Sequence, residues 1–272
     1  MNETFSFKRF AAYFKYDIAR MWHVHGKALL LFSLIGVMTY FVWVFFGLIF
    51  GGGWKAPGFE VRIVVFLIVS FIVEIYMARL YGYLTKKHEG SSWILLPASK
   101  AEKFVSMLLQ ALIIVPVCVF AVYLCADWLL CLIDHGCGQS LIAGYSELFN
   151  SSFGDENMVE AMNVMGLSPL GFLLISIVGG FVNYLFFLLC GICFKKNKII
   201  FGFLIIFALS VVMSTLSAIV LPLLNYDGLV NMDEAGAINM LRGFLTVFYV
   251  LLVVMMIGLG WGVWKRISTI KH

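Results

Sequence analysis

The sequence predicts an all-α integral membrane protein, with six transmembrane helices preceded by an amphipathic interfacial helix. Three observations predict it. First, 62% of the 272 residues are hydrophobic and only 12% are charged. Ordinary soluble domains carry about 25% charged residues and cannot hide so much apolar surface at this size. Second, six apolar runs occupy 28–50, 61–84, 104–133, 167–194, 199–224 and 243–264. Each meets the roughly 20 residues needed to cross about 30 Å of hydrocarbon. Third, the basic residues fall on alternate connections. Composition excludes a soluble globular protein, a disordered chain and a disulfide-stapled secreted domain. The polar stretches are too short for an independent catalytic domain, and the alternating short segments of a β-barrel are missing.

The chain divides into a cytoplasmic connecting helix (1–27), a six-helix membrane domain (28–264) and a short cytoplasmic tail (265–272). In the first part Phe7, Phe10, Ala11, Phe14, Ile18 and Met21 recur at helical spacing and fill one arc of the helical wheel. Arg9 and Arg20 lie opposite, with Lys8 and Lys15 at the flanks. This pattern suits a helix in the membrane interface with its basic residues toward anionic headgroups.

Orientation follows from charge. With both termini inside, fifteen of the nineteen Lys and Arg are cytoplasmic and only Lys55, Arg62 and Arg242 are outside. Arg79 lies near the inner end of span two and can snorkel. The net charge of +4 therefore reflects topology, and no nucleic-acid partner is expected. Tyr81, Tyr83, Trp261 and Trp264 near inner ends, and Trp54, Trp128 and Tyr226 near outer ones, suit the aromatic belts. The predicted location is the bacterial inner membrane, multi-pass.

Within span two, Glu74 is a carboxylate in an apolar run, which calls for an inward position, a partner or a proton. Asn183 and Tyr184 of span four lie at similar depth. Glu74 and Asn183 read equally well as lining a pathway and as an interhelical hydrogen bond.

The inner loop, 85–103, is the most informative connection. Trp93, Ile94, Leu95 and Leu96 are consecutive apolar residues on the cytoplasmic side, where they need a membrane or a partner to cover them. Gly90 and Ser92 can start a helical turn and Pro97 stops it. Ser99 and Glu102 have capping-box spacing, so the helix of span three starts there. The expected object is a short rigid element, a break, and a long helix. The plainer alternative is that the four apolar residues dip into the headgroups.

In span three, Pro116 is expected to kink the helix, and Asp127 near its outer end is expected to be hydrated. Most of the six cysteines lie in spans and behave as small apolar residues. Cys131 and Cys137 flank the outer end of span three, and both a disulfide and two thiols remain open. The outer loop, 134–166, is long. Ser168-Pro169 is a helix start, and Gly179-Gly180 permits close packing.

The loop residues Gly82, Thr85, Glu89, Gly90, Leu95, Leu96, Pro97, Ala98, Ser99, Glu102, Lys103 and Phe104, with six spans and an N-terminal interfacial helix, resemble the permease subunit of type-2 ABC exporters. The resemblance implies that the loop is a coupling helix. His88, Glu89, Gly90, Trp93, Ile94, Leu95, Leu96, Pro97, Ser99, Glu102 and Lys103 would then dock on a separate ABC ATPase subunit. ATP would be bound by that subunit, and two permeases would pair. The resemblance further implies short, partly inserted helices in 222–243, where Asn231 and Glu234 have cap spacing. The outer loop is longer than that family leads one to expect.

The chain itself carries no P-loop, no H-E-x-x-H and no G-x-S-x-G. No catalytic residue, metal ligand or cofactor is assigned, and the chain is not expected to be an enzyme. The rival to an exporter permease is a non-transporting scaffold or accessory subunit of a membrane complex.

Overall fold

The computed structural model describes residues 5–85, 90, 93, 95–154, 169–223 and 234–269. Among them the secondary structure is helical, with no strand. The elements are α1 (Phe7–Ser33), α2 (Ile35–Ile49), α3 (Phe59–Leu80), α4 (Lys100–Leu109), α5 (Val115–Ile133), α6 (Leu141–Gly154), α7 (Pro169–Cys193), α8 (Lys198–Leu223) and α9 (Glu234–Thr269).

Five helical stretches are long and apolar enough to cross a membrane: α1 with α2, α3 with the turn after it, α4 with α5, Leu174–Cys193 of α7, and Arg242–Thr269 of α9. A further apolar helix, α8, runs for 26 residues. Large side chains such as Phe207, Phe244, Ile200 and Ile257 stand exposed along these helices. So much apolar surface is stable only against lipid, and the protein is a multi-pass helical membrane protein.

Helix α7 is the hub and packs on α3, α8 and α9. Its Tyr184, Leu185, Phe187, Leu188 and Ile192 meet Val69, Val73, Met77 and Ala78 of α3 in one core. The closest approach is at Gly191. A Cβ there would overlap the Ala78 carbonyl oxygen and come within 2.9 Å of the Ala78 Cα. Backbone cannot swing aside as a side chain can. Gly191→Ala should therefore force α3 and α7 apart, at about 1–3 kcal/mol for an overpacked contact. Thermal unfolding in detergent checks this, with Gly179→Ala as control, since no atom lies within 4 Å of a Cβ at Gly179. Equal unfolding temperatures for the two variants would show that the crossing is loose.

The boundaries differ from the sequence reading in physically intelligible ways. The amphipathic segment and the first span form nearly one rod, interrupted only at Leu34. There the Ser33 hydroxyl donates to the Leu29 carbonyl at 2.9 Å, a bond that competes with the helical ladder. No kink is seen at Pro116 itself; the irregularity lies just before it, as a π-helical turn over Gln110–Ile114. Proline has no N–H to donate, and the preceding turn widens, with the Val115 N–H reaching the Gln110 carbonyl. The outer segment 134–166 contains α6, while its residues 155–166 lie outside the described set. Helix α9 starts at Glu234 and runs unbroken through Gly243, so 234–243 is not a separate inserted helix. Asn231 lies outside the described residues.

Candidate functional site

The connection between α3 and α4 and the first turns of α1 and α4 form one polar cluster. Ser99 caps α4: its hydroxyl accepts the Glu102 N–H at 3.2 Å, and the Glu102 carboxylate accepts the Ser99 N–H at 2.8 Å. This is the capping box expected from the spacing. Glu102 does more than cap, however. Its carboxylate takes Arg9 Nε at 2.8 Å, Arg9 Nη2 at 2.7 Å and the Ser6 N–H at 2.8 Å. Hydrogen bonds from Arg9 hold this carboxyl well below the usual range, at about 2, against the opposing effect of burial. The first turn of α1 is thus fastened to the first turn of α4.

The sequence reading placed Trp93 and Lys103 on a docking surface. The structure corrects this. Trp93 is 4% exposed and its indole N–H donates to the Tyr13 hydroxyl at 3.0 Å. Buried Lys103 donates to the Trp93 carbonyl at 2.8 Å, with its ammonium 4.7 Å from the indole ring centre. Burial pulls the Lys103 amine down to about 8. An indole must find an acceptor when it leaves water, and Tyr13 supplies one. Glu102 and Ser99 are likewise buried rather than available to a partner. Leu95 is the contrast, at 82% exposed, with Pro97 exposed and Leu96 half-buried beside it. Gly90 is buried. His88, Glu89 and Ile94 lie outside the described residues. The loop is an anchored arm that presents Leu95 outward.

Helix α1 packs on the rest of the protein through a ridge beside its apolar stripe. Phe7 is exposed, Phe10, Phe14 and Ile18 are half-buried, and only Met21 of that stripe enters the core. The buried ridge is Tyr13, Asp17 and Met21, rotated by roughly a fifth of a turn. Asp17 explains the rotation. Its carboxylate accepts the Tyr81 hydroxyl at 2.9 Å and the Ser106 hydroxyl at 2.7 Å. Burial raises its pKa and these donors oppose the rise. Nor do the two arginines simply face headgroups: Arg9 pairs with Glu102, and the Arg20 guanidinium lies over the Tyr83 ring at 3.7 Å.

Lys198, at the start of α8, closes the cluster from the other side. It donates to Thr85 Oγ1 and the Gly191 carbonyl, each at 2.8 Å, and to the Gly82 carbonyl. A Cβ at position 82 would come within 2.9 Å of the Lys198 amine, so a larger residue there would push this lysine aside.

A second polar feature sits midway along the helices. Glu74 and Ser70 of α3 and Ser176, Asn183 and Tyr184 of α7 line a groove of about 970 Å³. Glu74 and Asn183 thus face the same groove, at similar depth. The groove passes Pro116 of α5 and Gly179-Gly180 of α7, and among the described residues nothing fills the space next to the glycines.

At the outer end, Asp127 is not hydrated as expected. It is buried, paired with Arg62 at 3.0 Å, and accepts the Leu141 N–H at 2.7 Å. Cys131 and Cys137 are buried free thiols beside this pair. Hydrogen bonds from Tyr40, Trp54 and the Gly136 N–H keep the Asp134 carboxyl below its usual range.

Comparison with protein-family models, with curated proteins and with solved structures finds no match to this chain.

Proposed function

We propose that the chain is the permease subunit of a type-2 ABC exporter in a bacterial inner membrane, energised by a separate ATP-binding subunit. The carrying observation is the arm between α3 and α4. It is stiffened by the Ser99–Glu102 cap, locked to α1 through Trp93–Tyr13 and Arg9–Glu102, and bears Leu95 exposed. Such a lever passes force from a partner into two long helices at once, and an exposed Leu on it gains from being covered. In this reading α8 is the fifth of six spans, both termini face the cytoplasm, and two copies pair. The groove with Glu74 and Asn183 then lines the path between helices.

The test is purification of the tagged chain in mild detergent from its own host, followed by identification of co-purifying subunits and assay of ATP hydrolysis. A stoichiometric P-loop ATPase is the expected result. A pure chain with no nucleotide-binding partner favours the scaffold reading. Topology is checked separately by single cysteines. Positions 140–160 should label from outside, and position 197 should not. External labelling at 197 would reverse the orientation.

A further inference from the structure

We propose that the pocket between α1, α3 and α8 is a binding site for the phosphate of an acidic phospholipid headgroup. The pocket measures about 580 Å³ and is lined by Asp17, Arg20, His25, Arg79, Gln110 and Lys198 among others. Its formal charge is positive, with three cations against one carboxylate. Asp17 is already occupied by two hydroxyl donors. Lys198 spends its donors on Gly82, Thr85 and Gly191, so it contributes charge more than hydrogen bonds. Among the described residues, the ion pairs formed are Arg9–Glu102 and Arg62–Asp127, and neither Arg20 nor Arg79 takes part in one. Stacking over Tyr83 fixes the plane of the Arg20 guanidinium while leaving its edges for a ligand. Two guanidinium forks lining one cavity suit phosphate oxygens better than any other common anion in a membrane interface.

Two further observations favour a lipid. The cavity lies where the apolar runs of α1 and α3 end, at headgroup depth, and exposed Val24 on its rim offers a place for an acyl chain. Basic pockets between membrane helices at this depth are recurrent headgroup sites. At the back, Gln110 is fully buried and its amide oxygen has no donor. A headgroup carrying hydroxyls, such as the glycerol of phosphatidylglycerol, supplies one. The inference needs only that the helices lie in a bilayer, and it is independent of any ATPase.

The experiment is a native mass-spectrometry titration of the full chain with short-chain phosphatidylglycerol and, separately, phosphatidylcholine. Phosphatidylglycerol should bind at least about ten-fold more tightly, given a few-fold per basic residue near the surface. Arg20→Gln with Arg79→Gln should remove most of that preference. Lys195→Gln with Lys196→Gln, which deletes two exposed charges just before α8, should leave it within about two-fold. Should the double pocket variant fail to fold, Arg79→Gln alone, at an exposed position, carries the comparison. Equal affinity for the two lipids, or equal losses in both double variants, overturns the proposal. Displacement of bound phosphatidylglycerol by millimolar inorganic phosphate would assign the site to free phosphate, and that outcome also overturns it.

Discussion

Asp127→Ala should be the most destabilising single substitution at the outer end of the protein. Arg62 is buried there and its charge is matched by Asp127 Oδ1 at 3.0 Å. Its other amine bonds the Cys137 carbonyl at 2.9 Å and the Gln139 carbonyl at 2.6 Å, so it cannot withdraw without tearing the turn after α5. Asp127 also caps the start of α6 through Leu141 N–H. Removing one partner of a buried pair typically costs about 3–5 kcal/mol, because the other charge stays behind without water. The loss should be read as a lower unfolding temperature in detergent. Arg62→Met combined with Asp127→Leu should recover a large part of it, since two apolar side chains leave no orphan charge. A double variant as unstable as Asp127→Ala would show that the carbonyl bonds of Arg62, and not its charge, hold the turn.

The second large effect concerns the arm, where two neighbouring substitutions should separate. Trp93→Ala removes a buried aromatic, a change worth about 3–5 kcal/mol locally, strands the Tyr13 hydroxyl and takes the indole face from Lys103, whose bond to the backbone carbonyl at 93 remains. The arm should detach from α1, with faster proteolysis near residue 90 and a lowered unfolding temperature. Leu95→Asp should leave both readouts unchanged, because Leu95 touches little of its own chain. If the arm couples to an ATPase, Leu95→Asp should nonetheless reduce co-purification and stimulated hydrolysis at least about ten-fold, through an unpaired charge placed in an apolar contact. Full stimulation in Leu95→Asp would remove the arm from the coupling path. An unaffected unfolding temperature in Trp93→Ala would contradict the anchoring described for it.

The parts of the fold governed by short-range rules were readable from the chain. Hydropathy located the long helices, because lipid demands a continuous apolar run. The Ser99–Glu102 cap followed from a three-residue spacing, and the stop at Pro97 from the missing N–H. Glu74 and Asn183, which interrupt apolar runs at similar depth, do line one groove. What stayed hidden are contacts joining residues far apart in sequence. Arg9 and Glu102 are 93 positions apart, and Arg62 and Asp127 are 65 apart. No periodicity links them. One signal was available: Asp17, Arg62 and Asp127 are ionisable residues in or beside apolar runs, and the reasoning that sought a partner for Glu74 applies equally to them. Trp93 was misplaced for a different reason. Four consecutive apolar residues do not reveal which of them turns inward, and the decisive fact is a tyrosine 80 residues earlier that can accept its N–H.

The bond from Ser6 to Glu102 spans 96 residues, and it has a consequence for synthesis. At about 5–20 residues per second, the N-terminal helix emerges roughly 5–20 s before its anchor on α4 has been made. Throughout that interval Glu102 and Ser106, which bond Arg9 and Asp17 in the finished protein, have not yet been made. If the helix lies at the membrane interface, the stripe of Phe7, Phe10 and Phe14 gives the nascent segment a lipid surface to rest on, with its charges in water. The same helix therefore serves two environments in succession. Its apolar face suits the bilayer surface from the start, and its polar ridge becomes useful only once the third span has been inserted.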